Sequence, residues 1–372
     1  MIYLDNAATT LPKPVSVERA VSRAMMSMAS PGRGAHVPAM KAAQTLFDCR
    51  AAAAELFHVP EAENVVFTMN STHALNIAIR SKAKRGTRVL ISGFEHNSVT
   101  RPLADMGANI RIGGRKLFDR EDTLNAFQKE IPGAELVVCT HVSNVFGYIL
   151  PIYEIAELCR KYRVPLIVDA SQSAGILDVD FQRLGAAYVA MPGHKALFGP
   201  QGTGILLCGE KGIPLMQGGS GSDSIPQSMP DYLPDRLEAG THNSSGIAGL
   251  LEGIRFVREK GLENIRKHER SMLEIMQKEL GNDKTELFAA DSSLQCGVLS
   301  LRIKGMSCED IAAGLSRRGV CVRSGLHCAP TAHESAGTID TGTIRFSFSP
   351  FVSREQVSAA CGVLNELIFK ES

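Results

Sequence analysis

The sequence contains no uninterrupted apolar stretch that approaches the roughly 20 residues needed to span a bilayer. Its apolar runs, such as residues 136–139 and 166–168, have the length of a single strand. The N-terminus carries Asp5 where an export signal would have a basic stretch followed by an apolar run. We therefore expect a cytoplasmic protein that does not associate with a membrane.

A large excess of either charge is also lacking. Lys and Arg together number 40, and Asp and Glu together number 39. The electrostatic signature of a nucleic-acid-binding protein, a strongly basic surface, is therefore not expected. This balance favours a small molecule as the substrate.

Paired cysteines are absent as well. The nine cysteines include no CxxC pair and their number is odd, which indicates neither a zinc site nor a disulfide framework. Most of them, such as Cys139 and Cys208, lie in apolar patterns and are interpreted as small buried hydrophobic residues. Cys328 differs, because it follows a predicted strand in a loop that contains Gly, His and Pro.

The first 250 residues have the pattern of an α/β fold. Short, continuously apolar runs alternate with helical stretches, as expected of strands that are buried on both faces of a mostly parallel sheet. The predicted strands are residues 65–68, 88–92, 136–140, 165–169, 188–191 and 204–207. The predicted helices are residues 15–29, 40–57, 75–84 and 153–162.

Beyond residue 250 the pattern changes to that of a smaller α+β domain. It predicts a long helix at 249–280, strands at 298–303 and 320–323 with a helix between them, a strand at 343–347 and a helix at 354–369. Because 372 residues exceed what one core usually accommodates, we predict a large domain of residues 15–250 and a small domain of residues 1–14 and 251–372. The Gly-, Ser- and Pro-rich stretch 216–234 predicts a long surface excursion.

Polar residues follow several of the predicted strands, at the edge where open α/β sheets bind their ligands. Asn70, Ser71 and Thr72 follow one strand and begin a helix, so hydroxyls and free backbone N–H groups would converge where a phosphate can bind. Taken alone, the same residues more often form an ordinary helix cap. The other polar groups at strand ends are 95–97, 141–144, 169–172 and 192–195.

Charged side chains that could take part in catalysis lie at two of these strand ends. Asp169 ends an apolar strand, where a buried carboxylate needs a positive partner to remain charged. A metal, a ribose hydroxyl or a protonated heterocycle would serve. Lys195 precedes a glycine-rich segment, which excludes the phosphate loop in which the lysine follows the glycines. A buried lysine is suited to Schiff-base chemistry. Each residue alone is also compatible with a structural or solvated role.

The combination of motifs resembles the cysteine desulfurases and selenocysteine lyases of the class V aminotransferase fold, which depend on pyridoxal phosphate. The resemblance covers essentially the whole chain. It is carried by residues 4–10 (LDNAATT), 95–98 (EHNS), 141–147 (HVSNVFG), 168–172 (VDASQ), 193–195 (GHK), 238–241 (EAGT) and 323–328 (RSGLHC). The last motif resembles the branch of the family that has a short catalytic loop.

The resemblance implies roles around the cofactor ring. Lys195 would form a Schiff base with pyridoxal phosphate and later move the Cα proton of the substrate. Asp169 would pair with the pyridinium nitrogen and His96 would stack on the ring. Gln172 and Asn144 would form hydrogen bonds around the phenolic oxygen, and Asn144 would also contact the substrate.

The resemblance also implies how the phosphate is held. Ser71, Thr72 and His194 would bind it within one chain, and Thr241 would reach in from a second subunit, which implies a homodimer. The sequence departs from the family at Pro192, where a Ser or Thr often contributes to the phosphate site, and at Asn70, which replaces a small residue. The loop at 329–341 is slightly longer than expected.

The substrate side is implied by three further residues. Arg345 would clamp the carboxylate of L-cysteine, and Arg323 would line the same opening. Cys328 would attack the substrate sulfur, keep it as a persulfide and release alanine. Positive charge lowers the pKa of a reactive thiol, and Arg323, His327 and Lys195 are the candidates to provide it. An acceptor protein would then receive the sulfur.

Alternative functions remain open at the level of the sequence. Selenocysteine lyase activity, transamination, kynurenine cleavage and epimerisation are other reactions of this fold. Transamination, kynurenine cleavage and epimerisation need Lys195 and Asp169 but do not use Cys328. A non-catalytic descendant that binds the cofactor would be expected to have lost Lys195, His96, Arg345 or Cys328, yet all four are present.

Overall fold

The computed structural model describes residues 1–32 and 34–370. Its strands are β1 (Ile2–Tyr3), β2 (Val65–Thr68), β3 (Arg88–Ser92), β4 (Asn109–Gly113), β5 (Leu136–Thr140), β6 (Leu166–Asp169), β7 (Tyr188–Pro192), β8 (Gly204–Cys208), β9 (Thr285–Phe288), β10 (Val298–Ile303), β11 (Val320–Cys321), β12 (Arg323–Gly325) and β13 (Thr343–Ser347). Its α-helices are α1 (Val15–Ser27), α2 (Val37–Leu56), α3 (Ser71–Lys82), α4 (Asn97–Asp105), α5 (Arg120–Glu130), α6 (Ile152–Tyr162), α7 (Phe181–Leu184), α8 (Ser244–Lys260), α9 (Leu262–Leu280), α10 (Cys308–Arg317), α11 (Pro330–Ala336) and α12 (Arg354–Lys370). In this part of the chain, no helix has the length and apolarity that crossing a membrane requires.

A large sheet of mostly parallel strands forms the first half of the fold. Its order is β2-β8-β7-β6-β5-β3-β4, and β8 runs antiparallel to both of its neighbours. The strands β2, β5, β6, β7 and β8 are buried along their whole length, because helices cover both faces of the sheet. One face packs against α2, α5, α6 and α8, and the other against α3 and α4. The predicted α/β class is confirmed.

The carboxyl ends of the central strands meet at one edge of this sheet. Strands β5, β6 and β7 are parallel neighbours, with Thr140 opposite Asp169 and Asp169 opposite Ala190. The side chains that follow these strands therefore lie at the same edge. Helix α3 begins at this edge too, where Asn70 caps it by accepting a hydrogen bond from the His73 N–H at 2.8 Å.

A smaller antiparallel sheet forms the second half, in the order β12-β13-β10-β9. It has its own core with α9, α10 and α12, whose buried members include Leu273, Leu299 and Phe346. The N-terminal strand β1 pairs with β11 next to this core. That pairing places residues 2–3 against the second half of the fold, as the predicted domain division requires. The division into residues 15–250 and the remainder stays a prediction.

Two predicted elements of the second half are wrong. The single helix at 249–280 is two helices, because Gly261 interrupts it with a φ of 78°, a conformation that a helix does not contain. The single strand at 320–323 is two short strands in different sheets, because the chain leaves β1 after Cys321 and pairs with β13 from Arg323 onwards. Within the loop predicted at 329–341, the structure has the helix α11.

Candidate active site

A cavity of about 190 Å³ lies at the carboxyl ends of the central strands. It is lined by Asn70, Ser71, Thr72, His96, Ser98, Thr140, Val142, Asn144, Asp169, Ser171, Gln172, Pro192, His194 and Lys195. Every residue that the sequence predicted to bind the cofactor is in this set except Thr241. Side chains that are far apart in the sequence thus converge on one polar cavity.

Lys195 follows β7 and lines this cavity. A Cβ on Gly193 would collide with the hydroxyl of Thr203, so the turn that carries the lysine requires glycine at this position. The Lys195 carbonyl oxygen accepts a hydrogen bond from Thr10 Oγ1 at 3.0 Å. Burial lowers the pKa of the Lys195 amine to about 8, an effect that the nearby Asp169 carboxylate partly opposes. About one tenth of the amine is therefore uncharged and nucleophilic at pH 7, far more than for a lysine of ordinary pKa.

Asp169 ends β6 beside Lys195 and is 3% exposed. Its Oδ1 atom accepts a hydrogen bond from the backbone N–H of Ser171 at 2.9 Å. Its Oδ2 atom makes no hydrogen bond to a residue within the described ranges, while the side chain lines the cavity. A buried carboxylate oxygen that faces a cavity calls for a positively charged or N–H-bearing ligand. The protonated nitrogen of a heterocycle meets that requirement.

His96 is held as the N-cap of α4. Its Nδ1 atom accepts a hydrogen bond from the Ser98 N–H at 3.0 Å and lies 2.9 Å from Ser98 Oγ. Burial, together with the positive charges of Lys195 and Arg345, lowers the pKa of His96 to about 4 although Asp169 acts in the opposite direction. The ring is therefore neutral at neutral pH. A neutral imidazole fixed in this way is suited to stacking on a flat heterocycle.

Hydrogen-bond donors line the part of the cavity where α3 begins. The N-terminus of α3 opens there, and the hydroxyl pairs Ser71–Ser171 and Thr72–Ser98 lie 2.7 and 2.8 Å apart. The Nδ1 atom of His194 is buried and has no partner within the part of the chain that the structure describes. Hydroxyls, free N–H groups and an unpaired imidazole nitrogen are the donor set that binds a phosphate.

The two arginines that the sequence assigned to the substrate share one carboxylate. Arg345 Nη2 donates to Asp5 Oδ1 at 2.8 Å, and Arg323 Nε donates to Asp5 Oδ2 at 3.3 Å. Arg345 is 2% exposed and also donates through Nη1 to the Asn144 carbonyl at 3.0 Å, while its Nε atom has no partner among the described residues. Asp5 was not predicted as their partner, although it lies in the first motif of the resemblance. It orients both guanidinium groups beside the cavity.

Two amide side chains hold the segments that border the cavity. Gln172 Nε2 donates to the Ala7 carbonyl at 3.0 Å, and Asn144 Nδ2 donates to the His327 carbonyl at 2.8 Å. Both side chains line the cavity, so their carbonyl oxygens are available to a ligand. Asn144 thus connects the cavity to the loop that carries the predicted nucleophile.

Cys328 is exposed and lies in the four-residue connection 326–329 between β12 and α11. It opens on a cleft of about 440 Å³. This cleft shares the side chains of Thr72, His96 and Ser98 with the cavity of Lys195 and Asp169. The Cys328 carbonyl accepts a hydrogen bond from the Asn97 N–H at 2.8 Å, which ties the loop to the start of α4. The thiol therefore stands at the entrance to the cavity that contains Lys195 and Asp169.

Thr241 is the predicted cofactor residue that lies elsewhere. It is exposed and lines a separate pocket with Glu238 and His242. Buried Glu238 forms a bidentate ion pair with Arg50, which also stacks on Phe67, with 4.3 Å between the guanidinium carbon and the ring centroid. This network fixes the backbone next to Thr241. A role for Thr241 in the site of a second subunit stays a prediction.

Glu95 is a buried residue next to the site, and the sequence analysis assigned it no role. Its Oε1 atom accepts hydrogen bonds from Ser92 Oγ at 2.5 Å and from the Thr140 N–H at 2.8 Å, and its carbonyl accepts one from Thr331 Oγ1 at 3.0 Å. Burial raises its pKa to about 8, and the charge of Asp169 acts in the same direction. Glu95 therefore connects β3, β5 and the helix after Cys328 as a neutral carboxylic acid.

Replacing Glu95 by glutamine should reduce the dependence of stability on pH. The wild-type carboxyl holds its proton in the folded state up to about pH 8 but loses it near pH 4.5 when unfolded. Its contribution to stability is therefore full below pH 4.5 and is lost as the pH rises through 8. The wild type should lose up to about 1.4 kcal/mol per pH unit relative to Glu95→Gln between pH 5 and 8. Urea unfolding of both proteins at four pH values measures the two free energies of unfolding. If their difference does not change with pH, Glu95 is already ionised in the folded protein across this range.

A family model for class V aminotransferases matches residues 2–359. The chain belongs to the class V aminotransferase family. Among its curated relatives, proteins named "Probable cysteine desulfurase" from Pyrococcus abyssi and Methanothermobacter thermautotrophicus are 31% and 32% identical to it. The alignments cover 99% and 98% of this chain and 94% of each relative.

Solved structures of this family have the same fold. The apo cysteine desulfurase of Thermococcus onnurineus superimposes with a TM-score of 0.90 at 30% identity, over 99% of this chain and 94% of the other. A cysteine desulfurase from Escherichia coli gives a TM-score of 0.86 at 23% identity, over 98% of this chain and 94% of the other, and supports the fold alone. The predicted resemblance to cysteine desulfurases of the class V aminotransferase fold is confirmed.

Proposed function

We propose that this chain is a pyridoxal-phosphate-dependent cysteine desulfurase, which converts L-cysteine to L-alanine and keeps the sulfur as a persulfide on Cys328. One observation carries the proposal: the exposed Cys328 thiol opens on a cleft that shares three side chains with the cavity of Lys195 and Asp169. A site for transamination or epimerisation has no use for a thiol in this position. The names of the relatives at 31% and 32% identity agree with this activity.

The residues that line the cavity fit pyridoxal phosphate. Lys195 offers an amine of lowered pKa, and Asp169 offers a carboxylate oxygen that has no hydrogen bond among the described residues. His194, whose Nδ1 atom has no partner there either, lines the same cavity as the hydroxyls at the start of α3. We assign the phosphate to Ser71, Thr72 and His194, the pyridinium nitrogen to Asp169 and the carbonyl carbon to Lys195. When bound, the cofactor supplies an electron sink that stabilises a carbanion at the substrate Cα.

The remaining chemistry belongs to side chains of this chain. Arg345, which Asp5 orients, binds the substrate carboxylate. Lys195 Nζ moves the proton of the substrate Cα. Its lowered pKa of about 8 allows it to accept a proton close to neutral pH. His96 covers one face of the reacting groups as a neutral ring.

Cys328 performs the sulfur transfer. Its thiolate forms an S–S bond to the substrate sulfur while the bond between that sulfur and Cβ breaks. The electron pair stays with the substrate carbon, which takes up a proton and leaves as alanine. L-Cysteine and one protein thiol thus give L-alanine and one protein persulfide, so atoms and electrons balance. The exposed position of Cys328 lets an acceptor protein collect the sulfur.

The proposed function is tested with the purified holoenzyme. A visible absorption band of the bound cofactor should change when L-cysteine is added, and alanine and protein-bound persulfide should appear in equal amounts during the first turnover. Alanine without protein-bound persulfide would show that the sulfur leaves to an acceptor other than a protein thiol, and pyruvate in place of alanine would favour a β-elimination on this fold. A protein that cannot be reconstituted with pyridoxal phosphate would overturn the enzymatic proposal.

We also propose that the enzyme is a homodimer in which Thr241 completes the phosphate site of the partner subunit. Replacing Thr241 by alanine should weaken cofactor binding roughly 10-fold to 100-fold, as expected for one lost hydrogen bond to a charged group. A hybrid dimer of one Lys195→Ala chain and one Thr241→Ala chain should then regain a single site of wild-type affinity. In that site, the Lys195→Ala chain supplies the intact Thr241.

The matched control for the hybrid places both substitutions on one chain and pairs it with a wild-type chain. This dimer should contain no site of wild-type affinity, because the intact Lys195 site faces a Thr241→Ala partner. Cofactor titration followed by absorbance distinguishes the two dimers. The opposite pattern, with wild-type affinity in the control and not in the hybrid, would place Thr241 in the site of its own chain.

A further inference from the structure

Two buried histidines lie behind Cys328 and have no role in the mechanism above. His327 is 6% exposed, and His333 in α11 has no exposed surface. Their ring centroids are 5.7 Å apart and their planes differ by 30°. Burial lowers the pKa of both imidazoles, to about 4 for His333. Both rings are therefore neutral at neutral pH, and each has one N–H donor and one acceptor nitrogen.

Each ring has one nitrogen with a partner and one without. His327 Nε2 lies 3.2 Å from the carbonyl and 3.1 Å from the hydroxyl of Thr343 in β13, and His333 Nδ1 lies 2.7 Å from the hydroxyl of Thr338. The remaining nitrogens, His327 Nδ1 and His333 Nε2, are buried without a partner in residues 1–32 and 34–370. Buried polar atoms in folded proteins are almost always paired. The two spare nitrogens form no direct hydrogen bond with each other, and one trapped water between the adjacent rings would pair both.

The backbone of the nucleophile loop is in an unusual conformation. His327 and Cys328 have φ values of 48° and 57°, in the left-handed region that residues other than glycine rarely adopt. Such a conformation persists when the surroundings hold it in place. The His327 carbonyl accepts the hydrogen bond from Asn144, and the Cys328 carbonyl accepts the one from Asn97. The His327 ring adds the contact to Thr343, so the loop is fixed on both sides of the thiol.

We propose that His327, supported by His333, is the positioning residue that holds the Cys328 thiol at the entrance to the cofactor cavity. The His327 ring fixes the loop to β13 through its contact with Thr343. Its packing against the His333 ring adds a contact with α11. The role rests on the proposed function, because it concerns the transfer of sulfur to Cys328. Neither histidine is among the described residues that line the cofactor cavity. Cofactor and substrate binding should therefore not depend on them.

The test separates sulfur transfer from substrate binding in the holoenzyme. His327→Leu should form persulfide about 10²-fold more slowly, as expected for a misplaced reacting group, while the spectral change on adding L-cysteine keeps its midpoint. His327→Gln, whose amide can restore the bond to Thr343, should recover part of the rate. The control is His268→Leu, which removes a half-buried imidazole that bonds the Val352 carbonyl at 2.8 Å. Its persulfide rate should stay at the wild-type value.

Three results would overturn the positioning role. His327→Leu with the wild-type rate of persulfide formation would show that the loop does not need this ring. An equal loss of substrate binding and sulfur transfer would show a general structural role. Nitrogen NMR of the imidazoles in the wild-type holoenzyme needs no variant; a charged His327 or His333 at pH 7 would contradict the neutral pair. A wild type that forms no persulfide on Cys328 would overturn the proposed function and this role together.

Discussion

Replacing Cys328 by alanine will abolish persulfide formation and slow alanine production from L-cysteine by roughly 10³-fold. The reason is that Cys328 is the only cysteine among the described residues that line the cavity or the cleft. The visible spectrum of the bound cofactor should remain unchanged, since Cys328 opens on the neighbouring cleft and does not line the cofactor cavity as described. Alanine and persulfide assays under matched conditions measure both effects.

The matched control for this variant is Cys321→Ala. Cys321 is partly exposed, lies in β11 and pairs with Tyr3 of β1, away from the cleft. Its replacement should leave alanine production within about twofold of the wild type, as for a substitution away from the reacting groups. Unimpaired alanine production by Cys328→Ala would refute the proposed mechanism of sulfur transfer.

L-Selenocysteine separates the main alternative from desulfuration. Selenium leaves carbon without the help of a thiolate, so Cys328→Ala should retain activity on selenocysteine even when its activity on cysteine is lost. If the protein is a selenocysteine lyase, the wild type itself should already prefer selenocysteine over cysteine. The ratio of kcat/KM for the two substrates, measured in the wild type and in Cys328→Ala, distinguishes a cysteine desulfurase from a selenocysteine lyase.

Replacing Lys195 by alanine should remove the covalent attachment of the cofactor and reduce alanine production by at least roughly 10³-fold, because the residue both holds the cofactor and moves a proton. Borohydride treatment of the wild-type holoenzyme should fix the cofactor to Lys195 permanently. Peptide mass spectrometry then locates the label. The Lys195→Ala protein should carry none.

Two control variants complete the lysine experiment. Lys195→Arg keeps a positive charge but cannot form the imine bond, so it should be as inactive as Lys195→Ala. Lys161→Ala removes an exposed lysine at the end of α6 and should retain full activity. Borohydride labelling of another lysine in the wild type would show that Lys195 is not the attachment point.

The position of the site could be predicted from the sequence because it follows from local pattern. Asp169 ends one short apolar run and Lys195 follows the next one by a few residues, and parallel strands bring their carboxyl ends to one edge. The structure then places eight of the nine predicted cofactor residues around one cavity, namely Ser71, Thr72, His96, Asn144, Asp169, Gln172, His194 and Lys195. Their chemical roles came from the family resemblance and stay predictions.

Other features could not be predicted because they depend on contacts between distant segments. Asp5 meets Arg345 and Arg323 through the packing of the N-terminal segment on the small sheet, which no local pattern specifies. The break at Gly261 was missed because apolar residues continue with helical spacing on both sides of it.

The most direct test of the central claim is peptide mass spectrometry of the holoenzyme after a single turnover with L-cysteine. The account predicts that the peptide containing Cys328 gains the mass of one sulfur atom, in an amount equal to the alanine released. The other eight cysteines should remain unmodified. Full alanine release with sulfur on another cysteine, or on none, would contradict the convergence of Lys195, Asp169 and Cys328 on one reaction.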